Sequence, residues 1–445
     1  MLALGAAEVS SQIDQVFAQW NKTSSPGCAV AVMRDGKTVF ARGYGMADLD
    51  HDIAISPGSV FHVASISKQF VAASIVLLEK RGKLKFDDPV RKYIPELPDF
   101  GKPLTIAHLL HHTSGLRDQW SLLGYAGWRV SEDVVRDEDV LWLVGRMKEL
   151  NFAPGEMYMY SNTGFTLLGQ IVKRVSGKSL REFTSDEIFV PLGMKSTHFR
   201  DAHREIVKGM AYGYESSGDT FFMSNPNFDT VGASSLITTV EDLLLWQRNF
   251  EEPKVGGKAL GETMLQAFTL NSGTKIDYRM GLIEHAYRGL PVVEHSGADA
   301  GYRSALVRFP EQKTSVACLC NGVVDAPKLA YQTAEVFLGD RMSATEPKHP
   351  EEPKKDAVVA VAKAEYAGRY YSEEVDSNYA VEFSDGGLVL LRKKSQTHKL
   401  SGGPAADEFR AQGLGTIKFE RDGSGKVTGF RVSNGRVMNL RFVRM

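Results

Sequence analysis

The chain reads as an α+β protein: one antiparallel sheet flanked by helices, a mostly helical part on one side, and then a small all-β domain. Three observations predict this. Runs with strand character lie near the N-terminus and again between 278 and 320, with helical patterns between them. A charged, proline-rich segment breaks the pattern at 343–360. Beyond it, short alternating segments recur between Gly-containing turns. A length of 445 residues exceeds one ordinary core, so a large and a small domain are expected.

Taken in order, residues 10–20 predict an amphipathic helix, because Ile13, Val16, Phe17 and Trp20 recur at helical spacing. Residues 28–33 and 38–42 flank Asp35-Gly36, a hairpin signal. Helices are predicted at 138–150, 162–175 and 240–250. Strands are predicted at 278–285, 290–294, 302–309 and 315–320, and a closing helix at 328–338. Strands at both ends with helices between them predict one sheet built from both ends of this region. The expected boundaries are 1–342, a linker at 343–362, and 363–445. In the last segment, strands are predicted at 379–383, 388–391, 416–420, 427–432 and 438–443. Asp385-Gly386-Gly387, Asp422-Gly423 and Asn434-Gly435 punctuate them, which predicts a sandwich or barrel.

Composition narrows the function. Apolar residues make up 43% and charged residues 24%, as in ordinary soluble globular proteins. The formal net charge of −1 gives no electrostatic case for nucleic acid or an anionic membrane. No apolar run approaches transmembrane length. Cys318 and Cys320 alternate in an apolar run and should share one face of a strand. With Cys28 they read as small buried hydrophobes rather than a disulfide framework or thiolate metal site. Residues 2–7 resemble the tail of an export signal but lack a basic n-region. A periplasmic or secreted location is expected from a trimmed signal, with the cytoplasm as the alternative.

The chemistry concentrates in Val63-Ala64-Ser65-Ile66-Ser67-Lys68-Gln69-Phe70. A largely apolar run follows at 71–78, with Phe70, Ala73 and Leu77 near one face. Ser65 therefore stands where a helix begins, and Lys68 lies on the same face one turn on. The helix start directs free N–H groups and positive partial charge at the serine. A nucleophile needs a nearby base and a site for developing negative charge. Ser-x-x-Lys is weak alone, since about one or two arise by chance at this length. A second copy, Ser272-Gly273-Thr274-Lys275, lies in a turn-like segment without a following apolar helix and reads as a decoy.

Two further signals support the first copy. Tyr160-Ser161-Asn162 is the one Tyr-x-Asn among fifteen tyrosines and precedes a predicted helix. A phenol can relay a proton, and an amide can hold a substrate carbonyl or the lysine amine. Asn162 also suits a plain helix N-cap. His295-Ser296-Gly297 is predicted at the end of the 290–294 strand, where an edge leaves backbone N–H groups free. Lys80-Arg81-Gly82 and Lys254-Val255-Gly256 match the same loose pattern without a strand. His108 and His112 stand four apart, a spacing that can bind metal, but no carboxylate lies between them as in His-Glu-x-x-His.

Ser65-x-x-Lys68, Tyr160-x-Asn162 and His295-x-Gly297 together resemble the penicillin-recognising serine hydrolases. Class C β-lactamases, D-Ala-D-Ala carboxypeptidases, D-aminopeptidases and related esterases are the group most similar. Leu109-Leu110-His111-His112-Thr113-Ser114-Gly115-Leu116, Pro154-Gly155-Glu156 and 232–246 look like that group's habits. The resemblance covers about residues 10–340 and implies a β-lactamase/transpeptidase-like fold. The β-rich tail resembles the lipocalin-like barrel attached to some members. Class C β-lactamases usually carry Lys-Thr-Gly as their third motif, whereas His-Ser-Gly resembles the peptidase and D-aminopeptidase branch.

The resemblance implies catalysis by Ser65, Lys68, Tyr160 and His295. Substrate and oxyanion contacts would come from Asn162, Ser296, Gly297 and the backbone N–H groups of Ser65 and Ala298. It gives the histidine segment a structural role and implies no metal and no organic cofactor. The expected partner is a small-molecule or short-peptide substrate, and homo-oligomerisation stays open. The reaction expected is acyl transfer at an amide or ester carbonyl, most of all a D-Ala-D-Ala carboxypeptidase or D-aminopeptidase type of peptidase. The alternatives are an esterase or weak β-lactamase using the same site, or a non-catalytic penicillin-binding or scaffold protein.

Overall fold

The computed structural model describes residues 6–129, 132–344, 360–392 and 396–445. At its centre is a six-stranded antiparallel sheet. Its order is Ile283–Tyr287, Leu290–Asp299, Tyr302–Phe309, Thr314–Cys320, Cys28–Arg34 and Lys37–Tyr44. The first hairpin joins the later strands through Cys28–Arg34, which pairs with Thr314–Cys320 from Cys28↔Cys320 to Arg34↔Thr314. The sheet is thus built from both ends of this region, as expected.

Alternation along these strands divides the core into two layers. Val30, Val32, Val316 and Cys318 face Ile13 and Phe17 of Ala6–Val16 and its extension, and Leu329 and Ala330 of Ala326–Leu338. Ala29, Ala31, Ala317 and Leu319 face the helical side, whose centre is Ser67–Lys80. Every residue of that helix from Ser67 to Leu78 is buried. It lies inside the helical layer rather than on its surface, which explains its apolar composition all round.

Most predicted elements recur with shifted ends. The first helix runs Ala6–Val16 and is followed by a 3₁₀ turn, Ala18–Trp20. Asp137–Arg146, Asn162–Ser176 and Val240–Arg248 form the expected later helices. Two expectations need correction. Cys28 and Cys320 form a disulfide, because the register sets them directly opposite each other on neighbouring strands. Cys318 stays free and buried beside it, its sulfur 3.8 Å from that of Cys320. The strand carrying His295 does not end there but runs Leu290–Asp299.

The β-rich tail is a closed barrel of eight strands, Gly368–Ser372 through Leu440–Arg444, each paired with the next. The last pairs with the first at Tyr370↔Arg444 and Tyr371↔Val443. Such an up-and-down barrel is the architecture of lipocalins. Aromatic side chains pack its interior: Tyr379 and Phe442 lie 4.4 Å apart, Tyr370 and Phe430 4.9 Å, and Tyr366 and Phe419 4.5 Å. The strands Gly368–Ser372, Thr397–Gly402 and Glu408–Ala411 lay outside the predicted set. The linker expected at 343–362 falls mostly outside the described residues, as does most of the signal-like 2–7.

The barrel is fastened to the catalytic region by polar contacts. Arg117 Nη1 donates to both carboxylate oxygens of Glu374 at 2.6 Å, and both side chains are buried. Tyr125 OH donates to Leu414 O at 2.6 Å, and Tyr379 OH to Tyr125 O at 2.9 Å. Asn151 donates from Nδ2 to Arg436 O and accepts from Met438 N.

Candidate active site

Ser65 lies in a 3₁₀ turn, Ala64–Ile66, that leads straight into Ser67–Lys80. Ala64 has φ +46°, an uncommon conformation for a residue with a Cβ. This turn presents Ser65 Oγ to a cleft of about 360 Å³. Ser67 points the other way: its Oγ donates to Ala64 O and accepts from Leu236 N, so it holds the turn.

Lys68 Nζ lies 2.9 Å from Ser65 Oγ, and Tyr160 OH donates to the same oxygen at 2.8 Å. Lys68 is wholly buried and donates to Asn162 Oδ1 at 3.0 Å and Ala233 O at 2.7 Å. Burial holds its pKa well below the ordinary lysine value, with nearby Arg436 adding to the fall and Asp118 opposing it. A neutral amine has two N–H bonds, which these two oxygens occupy, leaving its lone pair for the serine proton. Burial pushes Tyr160 the opposite way and keeps it a protonated phenol.

Asn162 is the first residue of Asn162–Ser176, and the N-cap position belongs to Ser161. Its side chain is spent on Lys68 and Asp118 instead of capping. Asp118 Oδ2 accepts from both Asn162 N and Asn162 Nδ2 at 2.8 Å. Its Oδ1 caps Gln119–Tyr125 through Trp120 N. Asp118 was not among the expected site residues. Its only signal is an Asp preceding the apolar pattern of a short helix.

The strand Leu290–Asp299 forms the opposite wall. Its outer neighbour, Ile283–Tyr287, reaches only Glu294, leaving residues 295–299 as an edge beside the cleft. Ser296, Gly297 and Ala298 line it there, with Ser65 across from them. At Gly297, a Cβ would stand 2.4 Å from Val63 O and Ser304 Oγ, so only glycine lets this strand approach the Ser65 turn.

His295 also lines the cleft but makes no hydrogen bond to Ser65, Lys68 or Tyr160 among the described residues. Its Nδ1 faces Ser296 O at 2.6 Å and so carries the proton, and its Nε2 accepts from Tyr278 OH at 3.1 Å. Burial holds its pKa down at about 3, so the ring is neutral. The three clustered histidines have separate uses. His108 Nδ1 accepts from Thr105 N, His111 Nδ1 meets Tyr278 O, and His112 Nδ1 accepts from Ser161 N. The His112 ring packs 4.2 Å from that of Tyr160 and positions the phenol. Among the described residues, Ser272 Oγ bonds only to Thr274, in an exposed turn, far in character from a nucleophile site.

The Beta-lactamase family profile matches residues 13–340. Penicillin-binding protein 4* of Bacillus subtilis is 28% identical over 362 residues, covering 78% of this chain and 79% of that one. A D-aminopeptidase of Gluconobacter oxydans is 28% identical over 368 residues, covering 82% of this chain and 66% of that one. Among solved structures, an octameric penicillin-binding protein homologue from Pyrococcus abyssi has the same fold over 99% of this chain and 100% of its own. Its TM-score is 0.67 at 23% identity. D-amino acid amidase from Ochrobactrum anthropi covers 75% of this chain and 99% of its own, with a TM-score of 0.64 at 21% identity. By the extent of the family match, this chain belongs to the Beta-lactamase family.

Proposed function

We propose that this protein is a serine hydrolase that acts through an acyl-enzyme on the amide bond of short D-amino-acid peptides or amides. One observation carries the reading: Ser65 Oγ sits between a buried amine at 2.9 Å and a phenol at 2.8 Å. The names of the related D-aminopeptidase and penicillin-binding protein support the substrate class.

Ser65 Oγ attacks the carbonyl carbon, and its proton passes to the lone pair of Lys68. The backbone N–H groups of Ser65 and Ala298 receive the oxyanion, each such donor contributing about 3 kcal/mol of transition-state stabilisation. As the C–N bond breaks, Tyr160 gives its proton to the leaving nitrogen and is reprotonated from the Lys68 ammonium. Water then attacks the ester carbonyl, its proton taken by Lys68 and returned to Ser65 Oγ as the C–O bond breaks. Asn162 holds the lysine amine, and His295 acts as a positioning residue through Tyr278 rather than as a proton carrier.

The His-Ser-Gly motif presents a neutral ring where β-lactamases usually carry lysine, which supports peptide or amide substrates over efficient β-lactam hydrolysis. Side-by-side turnover of nitrocefin, a p-nitrophenyl ester and a D-aminoacyl anilide tests this, with the anilide expected to have the highest kcat/KM. Fast nitrocefin turnover would favour the β-lactamase reading, and a folded protein that never acylates would favour a scaffold. We further infer export to an oxidising compartment, which the Cys28–Cys320 disulfide supports. Thiol-blocked mass analysis of protein from its own host tests it. We also infer self-assembly, which the octameric homologue supports and native mass measurement tests.

A further inference from the structure

The catalytic cleft adjoins a second cleft of about 490 Å³ between the catalytic region and the barrel. Trp120 and Arg436 line both. Arg436 comes from the barrel, on the turn between Val427–Ser433 and Leu440–Arg444. Its backbone is pinned on both sides. Asn434 Oδ1 accepts from Arg436 N at 2.8 Å, and Arg436 O accepts from Asp118 N and Asn151 Nδ2.

The guanidinium itself makes no hydrogen bond among the described residues. It lies 5.0 Å from the centre of the Tyr160 ring, and its side chain is 47% exposed. The carboxylate beside it, Asp118 at 3.9 Å, already holds Asn162 with the same oxygen. Among the described residues that line the cleft, Arg436 is the one lysine or arginine. Lys68 is buried and engaged with Asn162 and Ala233, and His295 has both ring nitrogens occupied. The cleft's acidic wall residue, Asp299, is held by His62 at 2.9 Å and Ser234 at 3.2 Å. A half-exposed arginine whose ion pair to Asp118 is as long as 3.9 Å is suited to a carboxylate, which its planar fork can bind through two parallel bonds.

We propose that Arg436 is the anchor for a substrate carboxylate, so that the barrel completes the active site and selects short peptides with a free C-terminal carboxylate. The proposal rests on the acyl-enzyme reading above, in which Tyr160 protonates the leaving nitrogen. Arg436 stands over Tyr160, and in a terminal amino acid the α-carboxylate is two bonds from that nitrogen. The residue released would therefore place its carboxylate beside the guanidinium.

The test compares D-alanyl-D-alanine with D-alanyl-D-alaninamide on the full chain, following release of the second residue by mass spectrometry. A charge-assisted hydrogen-bonded contact is worth about 1.5–3 kcal/mol, or ~10- to 100-fold. The wild type should prefer the free acid by that factor in kcat/KM, mainly through KM. Arg436→Gln should collapse the preference towards one, and Arg436→Lys should restore part of it. A wild type that does not discriminate, or an unchanged preference in Arg436→Gln, overturns the anchor. So does a protein that is labelled at Ser65 by a fluorophosphonate yet cleaves neither peptide. Absence of labelling in the wild type would instead overturn the acyl-enzyme reading beneath it. Thermal melting of each variant separates these outcomes from misfolding.

Discussion

The carboxylate of Asp118 holds Asn162 twice, accepting from its backbone N and its side-chain Nδ2 at 2.8 Å each. The other end of that amide holds Lys68. A buried carboxylate thus orients the amide that orients the amine beside Ser65. Small displacements of catalytic groups can cost about 10²-fold in rate. Asn162→Ala is expected to lower the acylation rate by about that factor, and Asp118→Ala by a comparable amount, without loss of fold. Stopped-flow labelling alongside circular dichroism checks both.

The lowered pKa of Lys68 has a pH signature. Acylation needs the neutral amine, so its rate should rise with pH through a pKa below the ordinary lysine value of 10.5. Asp118 favours the charged amine, so Asp118→Asn should move this rise to lower pH. Arg436 disfavours the charged amine, so Arg436→Gln should move it to higher pH. The pH dependence of fluorophosphonate labelling measures both shifts.

Gly297→Ala should nearly abolish acylation. The added Cβ would meet Val63 O and Ser304 Oγ at 2.4 Å and force the strand away from the Ser65 turn. The Ser65 and Ala298 N–H groups would then separate. Loss of one oxyanion donor costs about 10²–10³-fold in kcat, and labelling kinetics should show a fall of that order.

Arg117 and Glu374 form a buried ion pair, 1% and 6% exposed, across the barrel contact. Glu374→Gln leaves the guanidinium only the half-exposed carboxylate of Glu149 at 3.8 Å; losing one partner of a buried pair costs about 3–5 kcal/mol. Chemical denaturation should show that loss, with barrel docking weakened first in hydrogen exchange. An unchanged midpoint would mean that the pair adds nothing to docking.

Much of this site was legible because its key relationship is local. Ser65 and Lys68 are three residues apart, and helical geometry alone brings them together. Strand alternation likewise showed that Cys318 and Cys320 share a face. The Cys28–Cys320 bridge was not legible, since it depends on a register between strands 292 residues apart. Asp118 was not singled out in the sequence, because its role exists only where it meets Asn162 in space. Arg436 directly follows the turn signal Asn434-Gly435 and was not singled out in the sequence. The fold of another domain makes it part of the cleft. His295 stood in a motif of the right form, but its hydrogen bond to Tyr278 arises from a contact in space that the motif does not show.

Ser65 is the nucleophile of the proposed acyl transfer. Intact-mass analysis after reaction with a fluorophosphonate, with peptide mapping of the adduct, tests it most directly. The expected result is one adduct per chain on Ser65, absent in Ser65→Ala and unaffected by Ser272→Ala. Full labelling of Ser65→Ala, with the adduct on Ser272 or elsewhere, would contradict it.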